Sequence, residues 1–441
     1  MTSHVFPRNS KSPPMQVARG AGAYLYDTSG KAYLNCGDAA VSCLGHGDPH
    51  VTRAVKAQMD EVAFAHTGFF SSAPAEKLAD KLISLAPGEL DRVYFVSGGS
   101  EAMEAALKLA RQYFVEIGQP GRHKVVARRQ SYHGNTLGAL ATGGNEWRRA
   151  QFAPMLIDVS HVSPCFAYRG QTDGETDRAY VDRLIDELEA EFIKLGPDTI
   201  MAFVAEPIVG ATLGAVPPVG DYFAKVRALC DRYGVLVILD EVMCGMGRSG
   251  TLFTSEQFDV VPDICAIAKG LGGGYQPIGA MLCTAQIHDA IANGSGFFQH
   301  GHTYLGHPVA CAAGLAVLDR LIDEHVLDRV TPAGAHLKDA LVQRLGQHSH
   351  VGDIRGVGLF QGIELVADRS TKAPMPAQNK LHAKIKAAAL AEGLICYPMG
   401  GTLDGKEGDH VLLAPPFIAT NAELDQAADK VTAAIEVALK N

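Results

Sequence analysis

Through the middle of the chain, short apolar runs alternate with longer stretches in which apolar residues return every three or four positions. The runs at 93–96, 124–127, 201–205, 235–239, 263–268 and 279–283 are rich in strand-forming side chains. Between them, 101–114, 180–194 and 221–233 carry the helical period. The runs do not alternate apolar with polar residues, so they read as strands buried on both faces. That is the signature of a mainly parallel sheet covered by helices. The pattern predicts an α/β fold, with a mainly parallel central sheet flanked by helices.

The two chain ends lack this rhythm. Near the start, the spacing predicts a hairpin from Ala23–Asp27 through a turn at 28–31 to residues 32–34. After about residue 315 come one long helical pattern, strand-like residues at 352–365, a helix over 379–392 and a final helix from Asn421. This α+β segment and the N-terminal hairpin predict a smaller domain built from both ends. The expected division is an N-terminal segment at 1–60, a large domain at 61–320 and a C-terminal part of the small domain at 321–441.

Composition narrows the function classes. The 441 residues are 47% hydrophobic and 20% charged, which excludes a disordered chain. Lys and Arg total 39 against 48 Asp and Glu, and the net charge of −9 argues against nucleic acid as a partner. Nine cysteines form no CxxC pair and several lie inside apolar runs, as expected for reduced core thiols of a cytoplasmic protein. Residues 1–14 are polar, and no apolar run approaches 18 residues, so neither a signal segment nor a membrane span is expected. Glycine is in excess, at 47 residues. Many backbone segments must turn sharply or approach something closely.

Three strand ends carry candidate chemistry. Val96-Ser-Gly-Gly-Ser-Glu-Ala102 joins a strand to a helix through a glycine pair. It either presents free N–H groups to a phosphate or is a tight turn with Ser100 as N-cap. Asp240 closes the run 235–239, at the edge where open α/β sheets bind ligands, and a buried carboxylate there needs a partner. A helix N-cap is the alternative role for Asp240 or Glu241. Lys269 ends the run 263–268 and is followed by Gly270 and Gly272–Gly274. It is either a desolvated amine able to attack a carbonyl, or a lysine reaching out to solvent at the sheet edge. Phosphate cradle, acid and amine together match what pyridoxal 5'-phosphate requires.

From end to end the chain resembles the class III (ω-) aminotransferases, pyridoxal-phosphate enzymes of fold type I. The resemblance runs through Gly22-Ala-Tyr-Leu-Tyr-Asp27, Leu44-Gly-His-Gly47, Ser97-Gly-Gly-Ser-Glu-Ala102, Ser131-Tyr-His-Gly134, Glu206-Pro207, Asp240-Glu-Val242, Ala268-Lys-Gly270, Gly301-His-Thr-Tyr304, Gly306-His-Pro308 and Arg355-Gly-Val-Gly358. It implies a Schiff base at Lys269, which also serves as general base, and a bond from Asp240 to the pyridine nitrogen. It further implies phosphate binding by Gly99 and Ser100, ring packing by Tyr132 and Val242, and a place for Glu206 beside the cofactor. Thr303 is implied to reach the neighbouring subunit's phosphate in a homodimer, with a tetramer as a further assembly. His300, His302 and His307 match the family's cofactor loop, so no metal is expected. The glycines at 356, 358 and 362 match a dinucleotide fingerprint only loosely.

Substrate residues depart from the family. Ala40 stands where many amine:pyruvate relatives have tryptophan, and Met243 where many have glutamine. Tyr397 stands where an arginine binds the substrate carboxylate, and 400–409 looks like an insertion after it. Ala40, Phe70, Arg148 and Tyr397 are the substrate-side candidates. Since a tyrosine cannot supply the fork of an arginine, either Arg148 or Lys406 binds the carboxylate or the donor lacks one. The expected reaction is ping-pong transfer of an amino group from a primary amine or amino acid to a keto acid, pyruvate above others. A racemase, aminomutase or decarboxylase of the same fold, and more remotely a non-catalytic scaffold, are the alternatives.

Overall fold

A computed structural model describes residues 4–440. Its centre is a seven-stranded sheet, ordered Leu90–Val96, Gly279–Thr284, Ile264–Ile267, Leu236–Asp240, Ile200–Ala205, Lys124–Arg128 and Ser160–Val162. Only Gly279–Thr284 runs antiparallel to its neighbours. The remaining pairs are parallel.

Apolar residues occupy successive positions because both faces are covered. Val204, Ile238 and Ala266 face the helices Gly99–Glu116 and Ala285–Asn293. Their chain neighbours Phe203, Ala205, Val237 and Leu239 face Asp177–Leu195 and Tyr222–Tyr233. Strand side chains alternate between faces, so an uninterrupted apolar run is what two helical layers demand.

The chain ends meet in a smaller sheet in which Leu394–Ile395 pairs in parallel with Ala32–Asn35, itself the last strand of an N-terminal antiparallel set. A second sheet, Val351–Val357, Phe360–Leu365, Asp409–Leu413 and Tyr397–Gly400, is antiparallel throughout. One apolar core joins Leu34 and Leu44 from the first part of the chain to Leu394, Leu413, Val431 and Ile435 from the last.

One local feature differs from expectation, and a second takes a form that the sequence left open. The single long helix after residue 315 is two helices, Pro308–Leu318 and Val330–Leu345, separated by a π-turn at Asp319–Asp323 and a left-handed residue at His325. Lys81 bridges Asp319 and Asp323 across that turn, at 2.7 Å each. The stretch 400–409, expected as an insertion, is folded as a hairpin. Gly400 pairs with Asp409, and 401–408 closes the hairpin. All nine cysteines are buried and free. No helix among the described residues is long and apolar enough to cross a membrane.

Candidate active site

Five parallel strands deliver their carboxyl ends to one rim. Val96 leads to Ser97-Gly98-Gly99-Ser100, Arg128 to Tyr132 and His133, and Ala205 to Glu206; Asp240 ends its strand, and Ile267 leads to Lys269. The antiparallel strand begins on the same rim, and Gln276, Pro277 and Ile278 ahead of it complete the wall. These residues enclose a cavity of about 530 Å³. A mainly parallel sheet thus gathers groups separated by up to half the chain, as such sheets do at their ligand-binding edge.

The helix Gly99–Glu116 starts at this cavity with Gly98, not Ser100, at the N-cap, and Gly98 offers no capping side chain. Its first N–H groups are therefore open to an anion. The Ser100 hydroxyl accepts the Asn135 N–H at 3.1 Å, which ties the cradle to the loop carrying Tyr132. Gly99 is required sterically: a Cβ there would lie 2.5 Å from Val242 Cγ1. Gly99→Ala is expected to weaken cofactor retention roughly ten- to hundredfold, the effect of about 1–3 kcal/mol of overpacking. Titration of the apoenzyme would measure it, and Val242→Ala in the same chain should restore most of the loss.

Asp240 has the partner that its burial requires. Its Oδ2 lies 2.8 Å from His133 Nδ1, and its Oδ1 accepts the Val242 N–H at 3.0 Å. His133 is fully enclosed, and its Nε2 has no hydrogen-bond partner. Glu206 accepts the Tyr132 N–H at 3.1 Å and the Gly210 N–H at 2.9 Å, fixing the loop after its strand. Burial raises the Glu206 carboxyl pKa. Lys269 is ringed by protein and faces the cavity. Removal from bulk water lowers its pKa, against the opposing pull of Asp240 and then Glu206. Its φ of 43° is unusual for a side-chain-bearing residue and marks a backbone held for its position.

The cavity thus brings together Gly99, Ser100, Tyr132, Glu206, Asp240, Val242 and Lys269. Ala40 is not on its wall but packs with Ile208, Met243 and Tyr397, while its neighbour Val41 lines the cavity. Thr303 is exposed and Phe70 is 68% exposed, both outside the cavity wall of the single chain. Arg148 lies with its guanidinium 4.6 Å from the centre of the Tyr132 ring. Lys406 is exposed on the 401–408 loop. The rings of His300 and His302 pack edge to face, and no cluster of three metal-ligating side chains occurs among the described residues. The residue missing from the sequence-derived set is His133. It adjoins Tyr132 in the Ser131-Tyr-His-Gly134 motif; the burial of Asp240 calls for a partner but does not say which residue supplies it.

The residues present fit pyridoxal phosphate. Open N–H groups suit its phosphate, a buried carboxylate its ring nitrogen, and a desolvated amine its carbonyl. Fold and site define the class as a pyridoxal-phosphate-dependent transferase of fold type I. The comparisons resolve the family. The model for "Aminotransferase class-III" matches residues 5–435. An aminotransferase of Gibberella zeae is 43% identical, covering 97% of this chain and 85% of its own length. An (S)-enantioselective ω-transaminase from Thermomicrobium roseum superposes with a TM-score of 0.92 at 38% identity, covering 99% of this chain and 96% of its own. The ω-transaminase from Pseudomonas jessenii, solved in complex with PMP, has a TM-score of 0.92 at 33% identity, covering 99% and 97%. The chain belongs to the class III aminotransferases.

Proposed function

We propose that this aminotransferase moves the amino group of a primary amine to pyruvate in a ping-pong cycle, with Lys269 holding the cofactor and carrying the proton. Bound pyridoxal phosphate supplies a carbonyl that captures the amine and a ring that accepts the electron pair of the broken Cα–H bond. Lys269, its pKa lowered by burial, would take the substrate Cα proton and deliver it to the cofactor's former carbonyl carbon, across the nitrogen that joins the two. The Asp240 carboxylate, oriented by His133 and the Val242 N–H, would hold the proton of the ring nitrogen. Gly99 and Ser100 would bind the phosphate at the helix start, and Tyr132 and Val242 would pack on the ring.

Glu206 fixes Tyr132 through its backbone. Thr303 completes the phosphate site of a second copy in a homodimer. The large exposed side chains Phe69, Phe70, Phe297 and Tyr304 support such a pairing, since apolar groups of that size gain from being covered. Tyr397 offers no fixed positive charge, so the carboxylate of the keto acid needs a partner elsewhere.

The observation that carries the reading is the convergence of a desolvated amine and a paired, buried carboxylate on one cavity. The test is a half-reaction: the purified holoenzyme is mixed with 1-phenylethylamine, with no acceptor, and the cofactor absorbance is followed. Conversion of the cofactor to its aminated form within seconds to minutes, reversed by pyruvate, is expected. Release of amine of inverted configuration with an unchanged spectrum would indicate a racemase instead.

A further inference from the structure

A keto acid brings a carboxylate to the cavity, and burying that charge calls for a cation. Few cations near the cavity are free for this, and Arg8, the other cation near Tyr132, is exposed on the N-terminal segment. Lys269 is committed to the reaction. Arg128, buried beneath, donates to the Glu206 carbonyl. Arg248 is likewise buried and donates to the carbonyls of Leu359 and Pro415. Arg149 pairs with Glu146 at 3.0 Å.

Arg148 differs from all of these. It is half-buried against Tyr132, outside the set of residues that line the cavity, and its guanidinium lies over aromatic rings, Tyr132 at 4.6 Å and Trp147 at 5.9 Å. Among the described residues it forms no ion pair, although a guanidinium drawn out of water gains much from an anionic partner.

Its position is built in. Arg148 sits in the short helix Glu146–Arg149, whose N-cap Asn145 accepts the Arg148 N–H at 3.2 Å. Asn145 donates to the Gln130 side chain at 2.8 Å, and Gln130 donates to the Gly401 carbonyl at 3.0 Å. From the other side the 401–408 loop presses on the same helix. A Cβ on Gly405 would lie 2.8 Å from the Trp147 nitrogen, and the φ of 86° at Gly405 is one that side-chain-bearing residues avoid. The hairpin that distinguishes this sequence thus clamps the segment that carries Arg148. Tyr397 begins the hairpin's first strand.

We propose that Arg148 is the specificity-determining residue for the acceptor, binding the keto-acid carboxylate at the Tyr132 side of the cavity, and that the 401–408 hairpin positions it there. This rests on the keto-acid reading above. Arginine suits the task because its two parallel N–H groups match a carboxylate's two oxygens. Lys406 does not fill the role. Its side chain is exposed, and its backbone N–H is tied to Asp404 at 2.8 Å in the loop turn.

The test compares two acceptors for the amine-loaded holoenzyme: pyruvate, and propanal, which lacks the carboxylate. Arg148→Ala is expected to lower the kcat/KM ratio of pyruvate to propanal about 10- to 100-fold, mainly through KM for pyruvate. Arg148→Lys should fall between, keeping the charge but losing the fork, and Lys406→Ala should keep the wild-type ratio. An unchanged ratio in Arg148→Ala would overturn the inference. So would an equal loss with both acceptors, which would mean that Arg148 merely supports Tyr132. Wild-type enzyme that accepts no keto acid after the amine half-reaction would instead refute the function proposed above.

Discussion

Replacing Lys269 with alanine is expected to lower kcat by at least about 10⁴-fold, because one side chain holds the cofactor and carries the proton. The variant should still fold. The Lys269 carbonyl accepts the Gly272 and Gly273 N–H groups, bonds that alanine keeps, and removing a desolvated amine relieves a cost that burial imposes. It should also still bind pyridoxal phosphate, since the helix start at Gly99 and the Asp240–His133 pair are untouched. Borohydride reduction followed by peptide mapping separates binding from attachment: wild type should carry the label on the peptide containing Lys269, and the variant none. A small primary amine added to the variant should recover part of the rate, acting as a free base in the space that the side chain leaves. Retention of more than about a hundredth of wild-type kcat would show that another group moves the proton.

The sheet and most of the cavity were legible in the sequence for the same physical reason. Strands covered on both faces must be apolar throughout, so a charged residue at the end of such a run stands out. Asp240 and Lys269 are visible in this way, each closing a run of buried residues. Gly99 was visible because a glycine pair between strand and helix marks a close approach, here to Val242. The family resemblance then supplied roles that spacing alone left open.

Other features depended on long-range contacts that no local pattern displays. The strands Leu394–Ile395 and Tyr397–Gly400 have two and four residues, too few to show a period. The break after Leu318 keeps the helical rhythm of apolar residues across its π-turn, so the pattern reads as one helix. Ala40, a substrate-side candidate by resemblance, has a left-handed backbone with a φ of 63° and packs with Ile208 and Met243, while its neighbour Val41 lines the cavity. The contact between Arg148 and Tyr132 joins a short helix to a strand-end loop. The sequence named both residues without bringing them together.

Asp240→Asn should cost about 10³-fold in kcat, the usual scale for removing one fixed charge that stabilises charge developing in a reaction. The substitution keeps size and shape, which isolates the charge. Asp240 accepts two hydrogen bonds, from His133 at one oxygen and from the Val242 N–H at the other. Asparagine has a single oxygen, so one of those donors must face an NH₂ group or the ring must present its other tautomer. A stability loss of about 1–3 kcal/mol is therefore expected alongside the kinetic loss. His133→Ala distinguishes the two effects. It removes the partner and leaves the carboxylate, so an orienting role predicts a smaller fall, about ten- to hundredfold, with the cofactor's absorbance titrating at a changed pH. If Asp240→Asn instead kept kcat within threefold while only its thermal midpoint dropped, the carboxylate would be a structural partner of His133, and the ring nitrogen would have to be held protonated by another group.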